Sequence, residues 1–125
     1  MSDIDELNKL LWDAEEIGIY VNSSCGEDDG ILVVTNRRIF FALKGDLSMK
    51  VTNNIYVDKI RCVNCGKDTY SGWIEIGIKR KRKCLRFHNV DNSSVIEVSD
   101  YIKGMVGKWR EYSDYQSPNR WIYQQ

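Results

Sequence analysis

Apolar and polar positions alternate along most of this chain, and the period lengthens only at its two ends. The strongest pattern lies in residues 30–43, where two apolar runs flank the short polar break Thr35, Asn36, Arg37, Arg38. Each run is β-branched or aromatic and too short for a typical helix, while Thr35, Asn36 and the arginines supply turn chemistry. A β-hairpin follows. Both faces of both runs are apolar, which places the pair inside a sheet.

Upstream, Ile17, Ile19 and Val21 alternate with Gly18, Tyr20 and Asn22, predicting a first strand that ends in a turn at residues 25–30. Residues 44–47 close the third strand. Residues 49–57 predict a fourth, with Val51, Asn53, Ile55 and Val57 on one face and a bulge at Asn53 and Asn54. Ile60, Cys62 and Val63 predict a fifth strand ending at Cys65 and Gly66, before a loop over 67–72. In residues 73–79 the side bearing Ile74, Ile76 and Ile78 should meet the core. Cys84, Leu85, Arg86 and Phe87 make a seventh strand. Helical spacing appears over residues 3–13 (Ile4, Leu7, Leu10, Leu11) and again at Val95, Val98, Ile102, Met105, Val106 and Trp109. Ser94 and Glu97 form a capping-box signature for this second helix. Gly104 and Gly107 each cost roughly 1 kcal/mol there, implying close helix–sheet approach or a weak end. The fold class expected is mainly β with α: a seven-stranded antiparallel sandwich or partly open barrel capped by a C-terminal helix, plus a short N-terminal helix.

Residues 30–43 closely resemble the Leu-Val-Leu-Thr-Asn-Lys-Arg-Leu-Phe-like signature of bacterial pleckstrin-homology-like (PH-like) domains, in particular the YokE-like group. Asp58, Lys59 and Ile60 are similar to that family's Asp-Lys-Ile, the stretch from Gly72 to Ile76 to its following strand, and Phe87, His88, Asn89 and Val90 to the segment leading into its closing helix. The resemblance covers residues 16–110 and implies the PH-like plan. Residues 1–15 then form an amphipathic N-terminal helix and residues 111–125 an aromatic tail, within a single domain.

Charge changes the picture more than composition does. The chain has 125 residues, 18 basic and 18 acidic. Residues 1–30 carry nine acids against Lys9, a net of −8, whereas residues 59–88 carry nine cations against Asp68 and Glu75, a net of +7. So polarised a chain can orient on a charged surface or stack head to tail. No apolar run is long enough to span a bilayer and the start is acidic rather than signal-like, so a cytoplasmic setting with Cys25, Cys62, Cys65 and Cys84 as thiols is expected.

Catalytic constellations do not assemble. The glycines lack phosphate-loop spacing, and the single histidine, His88, has no evident nucleophile, so no catalytic residue and no cofactor is expected. Cys62 and Cys65 have the spacing of half a zinc site, which Cys25 and Cys84 would have to complete. Residues three apart on a strand face opposite ways, and the favoured reading packs Cys62 beside Ile60. Lys79, Arg80, Lys81, Arg82 and Lys83 are the strongest surface signal, either a solvated turn or a site for an anionic partner. Nucleic acid is disfavoured, because stacking aromatics do not interleave with the cations. Tyr112, Tyr115, Trp121 and Tyr123 make the tail too aromatic for a disordered one, so it should dock on its own sandwich or on a protein partner. The leading expectation is a non-enzymatic protein-interaction or adaptor module, self-association included. Binding to anionic membrane or lipid headgroups through residues 79–83 is the alternative, and a small thiolate zinc protein the second alternative.

Overall fold

The computed structural model describes residues 3–45 and 49–116, with side chains over 4–45 and 49–110. Its elements run α1 (Asp3–Asn8), β1 (Ile17–Cys25), β2 (Asp28–Thr35), β3 (Arg38–Lys44), β4 (Met49–Tyr56), a 3-10 turn (Val57–Lys59), β5 (Ile60–Lys67), β6 (Gly72–Ile78), β7 (Cys84–Val90) and α2 (Asn92–Gln116). The seven strands form one antiparallel sheet in the order β4-β3-β2-β1-β7-β6-β5. It does not close into a barrel, since β4 and β5 remain its edges. The halves meet at one register pair, Ser24 opposite His88.

The sheet buries both faces of the β2–β3 hairpin, as their unbroken apolar runs require. Leu32, Val34, Ile39 and Phe41 face a main core with Ile60, Ile74, Ile76, Phe87 and the α2 residues Val95, Val98, Ile102, Met105 and Val106. Phe41 and Phe87 stack across this core with centroids 5.9 Å apart, joining one half of the sheet to the other. Ile31, Val33, Phe40 and Ala42 form a second core on the opposite face, covered by Leu7 of α1 with Leu10 and Leu11 packed alongside. α1 is therefore the lid of a separate core.

Several local expectations are corrected. The first helix was expected over 3–13 but ends at Asn8, because one long-range and one local side-chain bond claim the following backbone. Arg38 Nη2 donates to the Leu10 carbonyl at 3.0 Å, and the Trp12 N–H donates to Glu15 at 3.0 Å. The bulge expected at Asn53 and Asn54 is present: Asn53 has φ +50, and two β4 residues stand opposite Phe40. That slip reverses the strand's parity, so Val51 packs on the outer core while Ile55 enters the main one. A second irregularity, between Ile60 and Cys62, turns Cys62 outward instead of beside Ile60 and leaves Val63 and Cys65 against the core. α2 begins two residues before Ser94, with the Ser94 N–H bonded to the Asp91 carbonyl at 2.9 Å. It runs to Gln116. Gly104 and Gly107 do not mark close approach to the sheet, since among the described residues a Cβ at either would meet nothing within 4 Å.

Candidate functional site

A charged pole can be built from the β5–β6–β7 end of the sheet. The β6–β7 connection carries Lys79, Arg80, Lys81, Arg82 and Lys83, all exposed. It turns tightly: Arg80 takes φ +67, and the Lys81 N–H donates to the Ile78 carbonyl at 3.1 Å. The Lys79 N–H donates to the Lys59 carbonyl at 2.8 Å, drawing the 3-10 turn against the basic loop. The β5 bulge supplies Arg61, whose Nη2 reaches Cys84 Sγ at 3.8 Å. Gly77 makes room for it, because a Cβ there would lie 2.5 Å from Cys62 Sγ and 3.0 Å from Arg61 Nη2. Seven cations thus share one end. Their single ion pair among the described residues is the 4.0 Å contact of Lys59 with Asp58. Arg86 is separate: it pairs with Glu75 at 3.7 Å and lies over the Trp73 ring.

The other expected residues are scattered. Cys62 is exposed and Cys65 packs inward, so the two thiols of the half zinc site face opposite sides of β5. Among the described residues no three His, Cys, Asp or Glu side chains gather as a metal site. His88 sits at the seam of the sheet with Nε2 2.9 Å from the Gly26 carbonyl oxygen. The nearby Ser23 and Ser24 hydroxyls donate to the His88 carbonyl and to Asp29, not to the imidazole. Tyr112 and Tyr115 lie on the last turns of α2, their side chains outside the described set, and Trp121 and Tyr123 lie outside the described residues altogether.

Sequence reasoning missed one constellation. Arg38, assigned to the turn, is 2% exposed and opens β3. Its Nε and Nη2 hold the Glu15 carboxylate at 2.8 and 3.0 Å, Nη1 reaches Asn54 at 3.3 Å, and the guanidinium lies 3.7 Å from the Trp12 ring centroid. Burial alone would raise the Glu15 carboxyl. The hydrogen bonds from Arg38, the Trp12 N–H and Thr35, with the Arg38 charge, outweigh it and hold the carboxyl below its usual range. Asn36 completes the clasp by accepting from the Glu16 N–H at 3.0 Å and donating to the Ala14 carbonyl at 3.4 Å. Trp12 stacks on Tyr56 with centroids 5.6 Å apart, leaving a half-exposed aromatic pair. The available signal was an arginine at the head of an apolar run with a glutamate just before the first strand.

An open antiparallel sheet of seven strands, bent into two halves over one C-terminal helix, is the PH-like architecture. The family model of the bacterial PH domain matches residues 11–104, and the chain belongs to that family. Among solved structures it is similar to a DUF1696 family protein with a pleckstrin-homology domain from Shewanella loihica PV-4, at 14% identity and TM-score 0.59 over 85% of this chain and 99% of that one. A pleckstrin homology domain from Shewanella amazonensis SB2B matches at 17% identity and TM-score 0.54 over 82% and 93%. The Vps36 N-terminal PH domain matches at 14% identity and TM-score 0.60 over 81% and 86%. These likenesses concern the fold. No curated protein matches the chain. Among the described residues no helix is long and apolar enough to cross a membrane.

Proposed function

We propose that this chain is a non-enzymatic interaction module that recognises an anionic protein surface, in the cytoplasm, through its basic pole. The supporting observation is the gathering of Lys59, Arg61, Lys79, Arg80, Lys81, Arg82 and Lys83 at one end with, among the described residues, a single weak carboxylate contact. Exposed like charges held together repel, and an anionic partner relieves that cost. The acid-rich first thirty residues make a second copy one such partner, and the four unpaired thiols suit a reducing compartment. Light scattering at low and high salt tests self-association: salt-sensitive oligomers that Lys81→Glu with Arg82→Glu abolishes support it, and a monomer under both conditions removes it. The membrane alternative predicts sedimentation with anionic vesicles. Equal indifference to neutral and anionic vesicles excludes it.

A further inference from the structure

β5 ends the sheet by pairing with β6 alone, so on its other side the backbone beyond the bulge meets no strand among the described residues. α2 runs beside that edge and leaves a cleft of about 320 Å³. Ile60, Val63 and Val106 give the cleft an apolar floor, while the exposed Arg61, Lys103 and Arg110 also line it. Among the described residues none of these three cations is in an ion pair, and no carboxylate lines the cleft. Gly107 also lines it, and a Cβ there would meet none of the described residues within 4 Å. A helical glycine costs roughly 1 kcal/mol against alanine, and packing against the sheet gives no reason for this one. What it provides is room.

We propose that this cleft docks an acidic peptide carrying apolar side chains at alternate positions, laid along β5 as an added strand. The inference rests on the interaction reading above and names the partner's chemistry. The free edge supplies main-chain hydrogen bonds, and alternate residues of an extended peptide fall on opposite faces. One set meets the apolar floor and the other meets Arg61, Lys103 and Arg110, where charge-assisted hydrogen bonds form. Arg61 belongs to both the cleft and the basic pole, so the two surfaces are continuous.

The test titrates the full chain with a fluorescein-labelled heptapeptide of alternating glutamate and valine, its lysine–valine counterpart, and vesicles of phosphatidylcholine with phosphatidylserine. The glutamate peptide binds and the lysine peptide does not. Gly107→Leu, whose Cβ points into the space of the cleft, and Lys103→Glu each weaken binding at least about tenfold with no loss of thermal stability. Lys50→Glu, a charge-matched change at an exposed position on the opposite edge strand, leaves peptide binding within about twofold, and the amides of residues 63–66 gain hydrogen-exchange protection on binding. No binding of the glutamate peptide overturns the inference. So does binding lost in the Lys81→Glu, Arg82→Glu variant but untouched by Gly107→Leu, which leaves the basic-pole reading standing. Cleft variants that abolish vesicle rather than peptide binding overturn it in favour of a lipid surface.

Discussion

A guanidinium almost wholly removed from water is tolerated only when its N–H groups have acceptors, and Arg38 finds them on Glu15, Asn54 and the Leu10 carbonyl. Breaking that set strands a charge in the interior. Glu15→Gln is therefore expected to cost about 3–5 kcal/mol in urea unfolding. The pair also carries a pH signature. Because the Glu15 carboxyl titrates below its usual value in the folded protein, its stabilisation is present above about pH 4.3 and fades as pH falls through the lowered folded value. The stability gap between wild type and Glu15→Gln should accordingly narrow below pH 4. A gap that holds constant into acid contradicts the role. Cysteines give a second check at this scale: exposed Cys62 should alkylate first, and Cys25, whose thiol is pushed up by burial and by Asp28, more slowly, as mass spectrometry resolves.

At the level of elements, alternation and helical spacing were enough to place seven strands and both helices, because burial on one face leaves a period in the sequence. What alternation cannot carry is a slip in register. The bulge at Asn53 and Asn54 was legible but its effect on parity was not: it and the Ile60–Cys62 irregularity each move the following residues to the other face, and pairing partners far along the chain decide that. The extent of α1 was illegible for a related reason, since its apolar spacing continues to Leu11 while the hydrogen bonds that end it come from Arg38 and Glu15. Its six residues are too few to hold a helix by themselves, so α1 depends on the second core. Leu7→Ala should cost about 2–5 kcal/mol and expose the outer face of β2 and β3, detected by dye binding and a lowered denaturation midpoint. In α2 the sign reverses. Gly104→Ala removes a helix penalty and meets no neighbour among the described residues, so it should stabilise by roughly 1 kcal/mol in the same measurement.

For the whole molecule the weak place is the seam. The two halves of the sheet share one register pair and are otherwise held by core stacking and by side chains reaching across. Ser23 Oγ donates to the His88 carbonyl at 2.9 Å, and Asn89 Nδ2 donates to Ser24 Oγ at 3.1 Å. His88 Nε2 meets the Gly26 carbonyl at 2.9 Å, a contact in which the neutral Nε2–H tautomer or the imidazolium donates. The sequence showed a lone histidine after a strand but could not show that β1 would end beside it, because sixty-two residues separate His88 from Gly26. If the ring is a tie and not a base, His88→Ala should cost about 1 kcal/mol and speed hydrogen exchange along β1 and β7 more than in the β2–β3 hairpin. Association measured by light scattering should stay unchanged, since the basic pole is built from the β5–β6–β7 end and does not use this residue. Loss of association without faster exchange at the seam would instead make His88 part of the partner's footprint.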